Sequence, residues 1–320
     1  MIDAMTAAYA QLKGCLYIKD TEAPQWVALI EQAAPQLCCV TEGQDFDEDS
    51  VDYALVWKPE SGLLASFRNL KLIISIGAGV DHLRADAALP SHVPVVRMVN
   101  QGLSLGMREY CTWATLHCHR LMPLFRTQQS QKLWQQSLAP LAKDYCVGVL
   151  GLGEMGQSAI KGLRALGYKL IGWSREQKSI EGITCYAGAQ GLKQVQAQAD
   201  ALISLLPLTE KTKGLFCLDF FKDCKAGVAF INAGRGAQLI EPDLSRALDL
   251  GYVSHAVLDV FTTEPLPERH PFWTDQRITI TPHIASITFA QDGLEAVLKA
   301  IKAIASNQVP ENLIDWQRGY

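Results

Sequence analysis

Cys146-Val-Gly-Val-Leu-Gly-Leu-Gly-Glu-Met-Gly156 begins with five apolar or small residues and ends in three glycines spaced Gly151-x-Gly153-x-x-Gly156. The opening run, Cys146–Leu150, reads as a buried strand. Behind the glycines, Ile160, Leu163 and Leu166 fall on one helical face, and Gly167 is placed to stop that helix. Strand, glycine loop and helix in this order are the context that a dinucleotide fingerprint requires. Gly151 permits the tight turn, Gly153 lets the backbone approach a pyrophosphate, and Gly156 lets helix and strand pack closely. The helix N-terminus then presents N–H groups and a positive dipole end to the phosphates. Leu152, Glu154 and Met155 complete the candidate contacts of this loop. The competing reading is a glycine-rich turn without ligand; the strand before it and the helix after it argue against that.

On both sides of the loop, short β-branched or apolar runs alternate with helix-length stretches. Ahead of it the candidate strands are Leu16–Ile18, Cys38–Val40, Ala54–Trp57, Leu72–Ile76 and Val95–Val99, with helical patterns such as Gln25–Ala34 and Leu63–Phe67 between them. The second series runs from Val147–Leu150 through Lys169–Trp173, Ala201–Leu206, Val228–Ile231 and Ala256–Val260 to Ile278–Thr281. Runs apolar throughout, with helix-length spacers, predict parallel sheets covered on both faces. Two such series predict two α/β units. Gln101–Gly106 (QGLSLG) is the expected hinge after the fifth strand, followed by one long helix from Glu109 to about Phe125. A second crossing is expected just after His283. The tail residues Leu294, Val297, Leu298, Ile301 and Ile304 make one apolar helical face, and the first unit is its expected partner.

Composition narrows the function classes. The 320 residues are 48% hydrophobic and 19% charged, which is globular usage. A net charge of −4, without any dense Lys/Arg run, argues against a nucleic-acid partner held by phosphate neutralisation. No apolar run approaches the ~20 residues of a membrane span, and Met1–Met5 shows neither the basic flank nor the apolar core of a signal peptide. Nine cysteines, with Cys38 and Cys39 adjacent and no CxxC, fit reduced thiols in a cytoplasm and no zinc site. His117 and His119 stand close in sequence, but on a helix they point to nearly opposite faces and cannot chelate together, so no metal is expected.

About 20 residues beyond the first glycine, an acid would take the ribose 2′-hydroxyl of NAD. The chain has Trp173-Ser174-Arg175 there instead, with Lys178 nearby. A hydroxyl and a guanidinium suit a 2′-phosphate, so the expected cofactor is NADPH (NADP). Three polar residues then follow predicted strands, where open parallel sheets bind their ligands. Arg235 lies in Asn232-Ala-Gly-Arg-Gly236, Glu264 in Asp259-Val-Phe-Thr-Thr-Glu-Pro-Leu-Pro267, and His283 in Thr281-Pro-His-Ile-Ala-Ser286. Singly, each reads as a solvated arginine, a turn acid or a structural histidine. Together they supply what hydride chemistry on a 2-oxo acid needs. His283 would protonate the carbonyl oxygen, Glu264 would orient its ring and favour imidazolium, and Arg235 would hold the carboxylate with a bidentate fork.

With these motifs in this order, the chain resembles the D-isomer-specific 2-hydroxyacid dehydrogenase family over nearly its whole length. The resemblance is carried by Gly151–Gly156, Asn232–Gly236, Asp259–Pro267 and Thr281–Ser286. It implies two Rossmann-like, doubly wound parallel-sheet domains, with the nucleotide domain inserted in a flavodoxin-like substrate domain and the active site in the cleft between. The implied boundaries are 1–103 and 286–320 for the substrate domain and 104–285 for the NAD(P)-binding domain. It also implies an oxidoreductase with Arg235, Glu264 and His283 catalytic, and with Leu206, Pro207, Ala233 and Asp259 among the cofactor contacts. Within the family, the glyoxylate/hydroxypyruvate reductase A-type branch is most similar, on Trp57-Lys-Pro59, Ser75-Ile-Gly-Ala-Gly-Val-Asp81, Trp173-Ser-Arg175 and the terminal Arg318-Gly-Tyr320. That branch implies NADPH-dependent reduction of glyoxylate to glycolate and of hydroxypyruvate to D-glycerate, by a homodimer joined through the long helix after Glu109.

Gly77–Asp81 offers close-approach backbone N–H groups for a carboxylate, or else is a plain strand-to-helix turn. The resemblance assigns it to substrate, with Trp57, Ala78, Gly79 and Val80 as contacts. Trp57 and Trp134 could wall a small pocket, although such aromatics more often serve core or interface. Two rivals remain: an NAD-linked D-2-hydroxyacid dehydrogenase of bulkier substrates, and a dinucleotide-sensing protein that binds without turnover.

Overall fold

The computed structural model describes residues 2–316; Met1 and the terminal Arg318-Gly-Tyr320 lie outside the described residues. The chain divides into two compact units, one made of the segment up to Leu103 and the segment from Ile287 onward, the other of Ser104–Ser286.

The first unit is built on β1 (Gly14–Lys19), β2 (Leu37–Thr41), β3 (Tyr53–Val56), β4 (Leu72–Ser75) and β5 (Val95–Arg97), all parallel in the order β2-β1-β3-β4-β5. That is the flavodoxin-like order. β3 and β4 are buried at every position, as expected of strands covered on both faces. The helix Ala290–Ala305 buries Leu294, Val297, Leu298 and Ile301 and packs on the helix Ala23–Ala33 and on β4, so the tail finds its partner in this unit. Gly293 admits that packing: a Cβ there would meet the Trp26 ring at 2.5 Å.

The second unit is a seven-stranded parallel sheet of β6 (Cys146–Leu150), β7 (Lys169–Ser174), β8 (Thr184–Ala187), β9 (Ala201–Ser204), β10 (Val228–Asn232), β11 (Val253–Leu258) and β12 (Ile278–Ile280). Their order, β12-β11-β10-β9-β6-β7-β8, reverses direction between β6 and β9. Ligands of open α/β sheets bind beyond the carboxyl ends at such a reversal. Phe216, Phe220, Phe221 and Phe230 form one core cluster, with ring centroids 4.9–5.6 Å apart. A second cluster joins the helices Gln101–His119 and Glu154–Ala165 to the sheet through Cys111, Ala114, Ile160 and Leu163.

Several expectations need correction. The unit boundary falls inside Gln101–Gly106, between Leu103 and Ser104, but that segment is helical, forming the first turns of the helix Gln101–His119, started by Asn100, whose Oδ1 accepts from Leu103 N at 2.8 Å. The helix expected to run to Phe125 breaks at Leu121, which takes φ 59°, and a new helix, Met122–Ser130, starts with Pro123 in its first turn. Leu166 is 43% exposed, because the helix ends at Ala165 and Gly167 (φ 79°) turns the chain. The edge strand β8 has too little apolar patterning to announce itself. Most strands end earlier than their apolar runs, so Trp57, Ile76, Leu206 and Asp259 stand in carboxyl-end loops.

Candidate active site

The glycine loop leaves β6 into the helix Glu154–Ala165. Two of its glycines are demanded by the protein's own packing. A Cβ on Gly156 would lie 1.9 Å from Gly151 O, and one on Gly151, at φ 104°, 2.7 Å from Leu205 O. Gly153 is different: it has φ −79° and nothing within 4 Å of its Cβ position. Its smallness serves no internal contact and fits a ligand passing against the backbone, so this loop meets the requirement for a dinucleotide. Lys178 braces the loop by donating to Leu152 O at 2.9 Å. At the end of β7, Trp173 Nε1 donates to Gly188 O at 2.8 Å and Ser174 Oγ to Glu176 O at 2.7 Å. Arg175 is half exposed beside Glu176, at 3.7 Å.

The loop after β10 carries Arg235, whose guanidinium donates to Gly234 O at 2.7 Å. Glycine packing brings it against its neighbours. A Cβ on Gly236 would sit 1.9 Å from the Phe261 carbonyl carbon, and one on Gly234 3.0 Å from Leu206 O. Ala233 is buried, and its N–H donates to Ser204 O at 3.2 Å.

His283 and Glu264 meet directly. His283 Nδ1 lies 2.8 Å from Glu264 Oε2, and Glu264 Oε1 accepts from Phe261 N at 3.1 Å. An ionised carboxylate only accepts, so Nδ1 carries the proton of that bond and Nε2 is the nitrogen left to exchange one. The ring is therefore oriented from behind by an acid that is itself held by the main chain.

His283 sits at φ 56°, a left-handed conformation that costs a non-glycine residue about 1–2 kcal/mol. The hydrogen bonds around Asp259 oppose that cost. Asp259 is buried, and its carboxylate accepts from Ile284 N at 2.8 Å, Ala285 N at 2.8 Å and Thr281 Oγ1 at 2.6 Å, while its carbonyl accepts from His283 N at 2.9 Å. Thr281 spends its proton on Asp259, so Tyr110, 2.7 Å away, donates to Thr281. Burial foremost, and then the Asp259 charge, push the Tyr110 phenol above its ordinary pKa and keep it a donor.

The structure thus brings Glu264 against His283 and packs the Arg235 loop against Phe261. The carboxylate of Asp259, expected among cofactor contacts, grips the His283 loop. Tyr110, Thr281 and Gln238 were not singled out as site residues, Thr281 entering only as the first residue of the His283 motif. Gln238 left a trace, as a lone amide in the apolar stretch Ala237–Ile240.

In the first unit, Val80 is buried, Ser75 Oγ donates to Gly77 O and Gly79 O at 3.3 Å each, and a Cβ on Gly77 would strike the Trp57 ring at 2.3 Å. Trp57 also meets the His82 ring edge-on at 4.8 Å. Trp134 walls no pocket within its own unit, being 98% exposed. His117 binds Thr279 through Nε2 at 3.1 Å, while His119 binds Tyr168 OH at 2.7 Å and Pro140 O at 2.8 Å; the two rings serve separate partners. Among the described residues, no group of three or more His, Cys, Asp or Glu could hold a metal, and no helix is long and apolar enough to cross a membrane.

Residues 112–285 match the NAD-binding domain of the D-isomer specific 2-hydroxyacid dehydrogenases. The glyoxylate/hydroxypyruvate reductase A of Yersinia enterocolitica is 39% identical over 305 residues, 93% of this chain and 97% of that protein. Its counterpart in Photorhabdus laumondii is 37% identical over 304 residues, again 93% and 97%. Among solved structures, a D-isomer specific 2-hydroxyacid dehydrogenase from Xanthobacter autotrophicus Py2, in complex with NADPH and MES, superposes with a TM-score of 0.91 at 35% identity, covering 96% of this chain and all (100%) of that one. An NADPH-dependent glyoxylate/hydroxypyruvate reductase from Sinorhizobium meliloti, with NADP and sulfate, gives 0.88 at 33% identity, covering 96% and 100%.

Proposed function

Because this chain belongs to the D-isomer specific 2-hydroxyacid dehydrogenase family, we propose that it reduces small 2-oxo acids with NADPH, taking glyoxylate to glycolate and hydroxypyruvate to D-glycerate. The observation that carries the proposal is the His283–Glu264 pair, 2.8 Å apart, on carboxyl-end loops of the sheet that also bears the glycine loop. NADPH, when bound, supplies the hydride for the carbonyl carbon. Gly151–Gly156 holds its pyrophosphate, and Leu206, Pro207 and Ala233 line the same end of the sheet. Ser174 and Arg175 take its 2′-phosphate: β7 ends in the Ser174 hydroxyl rather than a carboxylate, and the Arg175 guanidinium, beside Glu176, is the charged donor.

His283 Nε2 delivers a proton to the carbonyl oxygen as the new C–H bond forms at the carbonyl carbon. Glu264 keeps the ring turned for that transfer and balances the positive charge the imidazole carries beforehand. Arg235 grips the substrate carboxylate and draws electron density from the neighbouring carbonyl. Trp57, Ala78, Gly79 and Val80 contribute the remaining substrate contacts.

We place the enzyme in the cytoplasm as a homodimer. All nine cysteines are free thiols, which persist in a reducing compartment. The helix Gln101–His119 exposes Trp113 and Leu116 along a largely apolar groove of about 690 Å³, and beyond it Trp134 and Leu138 stand free of their own unit. These surfaces suit a second copy of the chain.

Steady-state kinetics with NADPH and NADH on glyoxylate, hydroxypyruvate and bulkier 2-oxo acids tests the proposal. NADPH should exceed NADH in kcat/KM by about tenfold or more, as one charge-assisted hydrogen bond of ~1.5–3 kcal/mol allows. Ser174→Asp with Arg175→Ala should erase that preference. Tight NADPH binding without turnover on any 2-oxo acid would leave a sensor, and a preference for NADH would remove the 2′-phosphate assignment.

A further inference from the structure

Gln238 closes the short 3-10 turn Gly236–Gln238 behind Arg235, and its relative exposure is 0%. A buried primary amide has two donors and an acceptor oxygen to satisfy. Here Nε2 donates to Leu206 O at 3.0 Å and to Pro207 O at 2.9 Å, while Oε1 accepts from Arg235 N at 3.3 Å and from Ser204 Oγ at 3.4 Å. Its own N–H donates to Arg235 O at 3.3 Å, an oxygen that Asn232 Nδ2 also reaches at 3.2 Å. The Gln238 side chain thus ties the loop after β9 to Arg235 N, while its backbone N–H holds Arg235 O. The amide is satisfied throughout by groups of the protein, so its role lies in holding these loops rather than in touching a ligand.

We infer that Gln238 is a positioning residue for 2-oxo acid binding: it fixes the Arg235 main chain against the Leu206–Pro207 turn and so aims the guanidinium. This rests on the reading of Arg235 as the carboxylate anchor. Glu264 and His283 stand on other loops and take their orientation from Phe261 N and Asp259. Loosening Gln238 therefore weakens the grip on substrate while proton delivery continues.

The test uses the full chain at saturating NADPH with three variants. Gln238→Met keeps the length without the amide. Gln238→Glu keeps an acceptor for Arg235 N and, protonated in this buried site, can donate to only one of Leu206 O and Pro207 O. Arg235→Lys is the control for the anchor itself. Gln238→Met should raise KM for glyoxylate about tenfold or more and lower kcat by less, since Arg235 also polarises the carbonyl, with the pH profile of kcat unmoved. Gln238→Glu should fall between Met and wild type, and it carries the test if Met does not fold. The double variant Gln238→Met/Arg235→Lys should bind substrate no worse than Arg235→Lys alone, since both act through one contact. If Arg235→Lys raises KM while both Gln238 variants change only the thermal midpoint, or add independently to Arg235→Lys, positioning is overturned and the anchor stands. If Arg235→Lys leaves KM unchanged, the anchor reading fails and this inference falls with it.

Discussion

His283 combines three constraints in one residue: a left-handed backbone, an acid 2.8 Å from Nδ1 and a main chain held by Asp259. Replacing it with Ala should lower kcat by about 10²–10⁴ while NADPH binding, followed by fluorescence titration, is largely kept. Glu264→Gln retains an acceptor for Phe261 N and should cost less. An alanine variant with near-normal turnover would remove His283 from the chemistry. Asp259→Asn puts an amide donor against the Ile284 and Ala285 N–H groups or against Thr281. It should therefore lower stability by about 1–3 kcal/mol, seen in urea unfolding, together with kcat. Unchanged unfolding would show that the loop does not depend on this carboxylate. The sequence singles out Arg235, Glu264 and His283 as candidates because polar side chains flanked by glycine or proline after apolar runs are conspicuous. Asp259, Tyr110 and Gln238 were not legible in these roles. Tyr110 meets Thr281 across 171 residues of chain, and nothing local to either residue announces the bond.

At the scale of elements, the strand–loop–helix around Gly151–Gly156 separates folding from binding within one motif. Gly156→Ala forces a Cβ into Gly151 O and should destabilise the second unit severely, whereas Gly153→Ala enters open space and should leave the thermal midpoint nearly unchanged. If a dinucleotide runs against Gly153, the same substitution should still raise KM for NADPH by tenfold or so, one misplaced contact; equal KM values would clear that glycine of any ligand. The apolar runs located eleven of the twelve strands by their central residues, because strands buried on both faces leave a continuous signature. Edge strand β8 and the helix break at Leu121 depend on exposure and on backbone turns, which periodicity does not record. Packing of the helix Gln101–His119 on the sheet has a pH cost. Burial above all, with Arg126 next, lowers the pKa of His117; burial, then His117 and Arg277, lowers that of His255. Both rings are thus held neutral in the fold, and the unfolded chain takes up protons first as pH falls through about 6.5. Stability should drop as pH falls below that value. His255→Gln should flatten the fall of thermal midpoint between pH 7 and 5, and an unaltered slope would rule the ring out.

For the whole molecule, the surface of the second unit is the feature that a lone chain leaves unexplained. Trp134 and Leu138 are 98% and 93% exposed, and Trp113 and Leu116 line the groove of about 690 Å³. The segment bearing Trp134 and Leu138 is not loose at its far end, where His119, buried and stacked on Tyr145, grips Pro140 O. Holding indoles and leucines in water while their backbone is pinned makes sense when a second chain covers them. Light scattering should therefore find a dimer at micromolar concentration. Trp113→Glu with Leu116→Glu should shift it to monomer, since each puts a charge into the interface at a side chain that is more than a third exposed in the lone chain. Because association stabilises only the folded form, the wild-type thermal midpoint should rise with protein concentration, and that of the double variant should not. A wild-type chain that scatters as a monomer at every concentration, with a fixed midpoint, would break the assignment and return the groove to solvent.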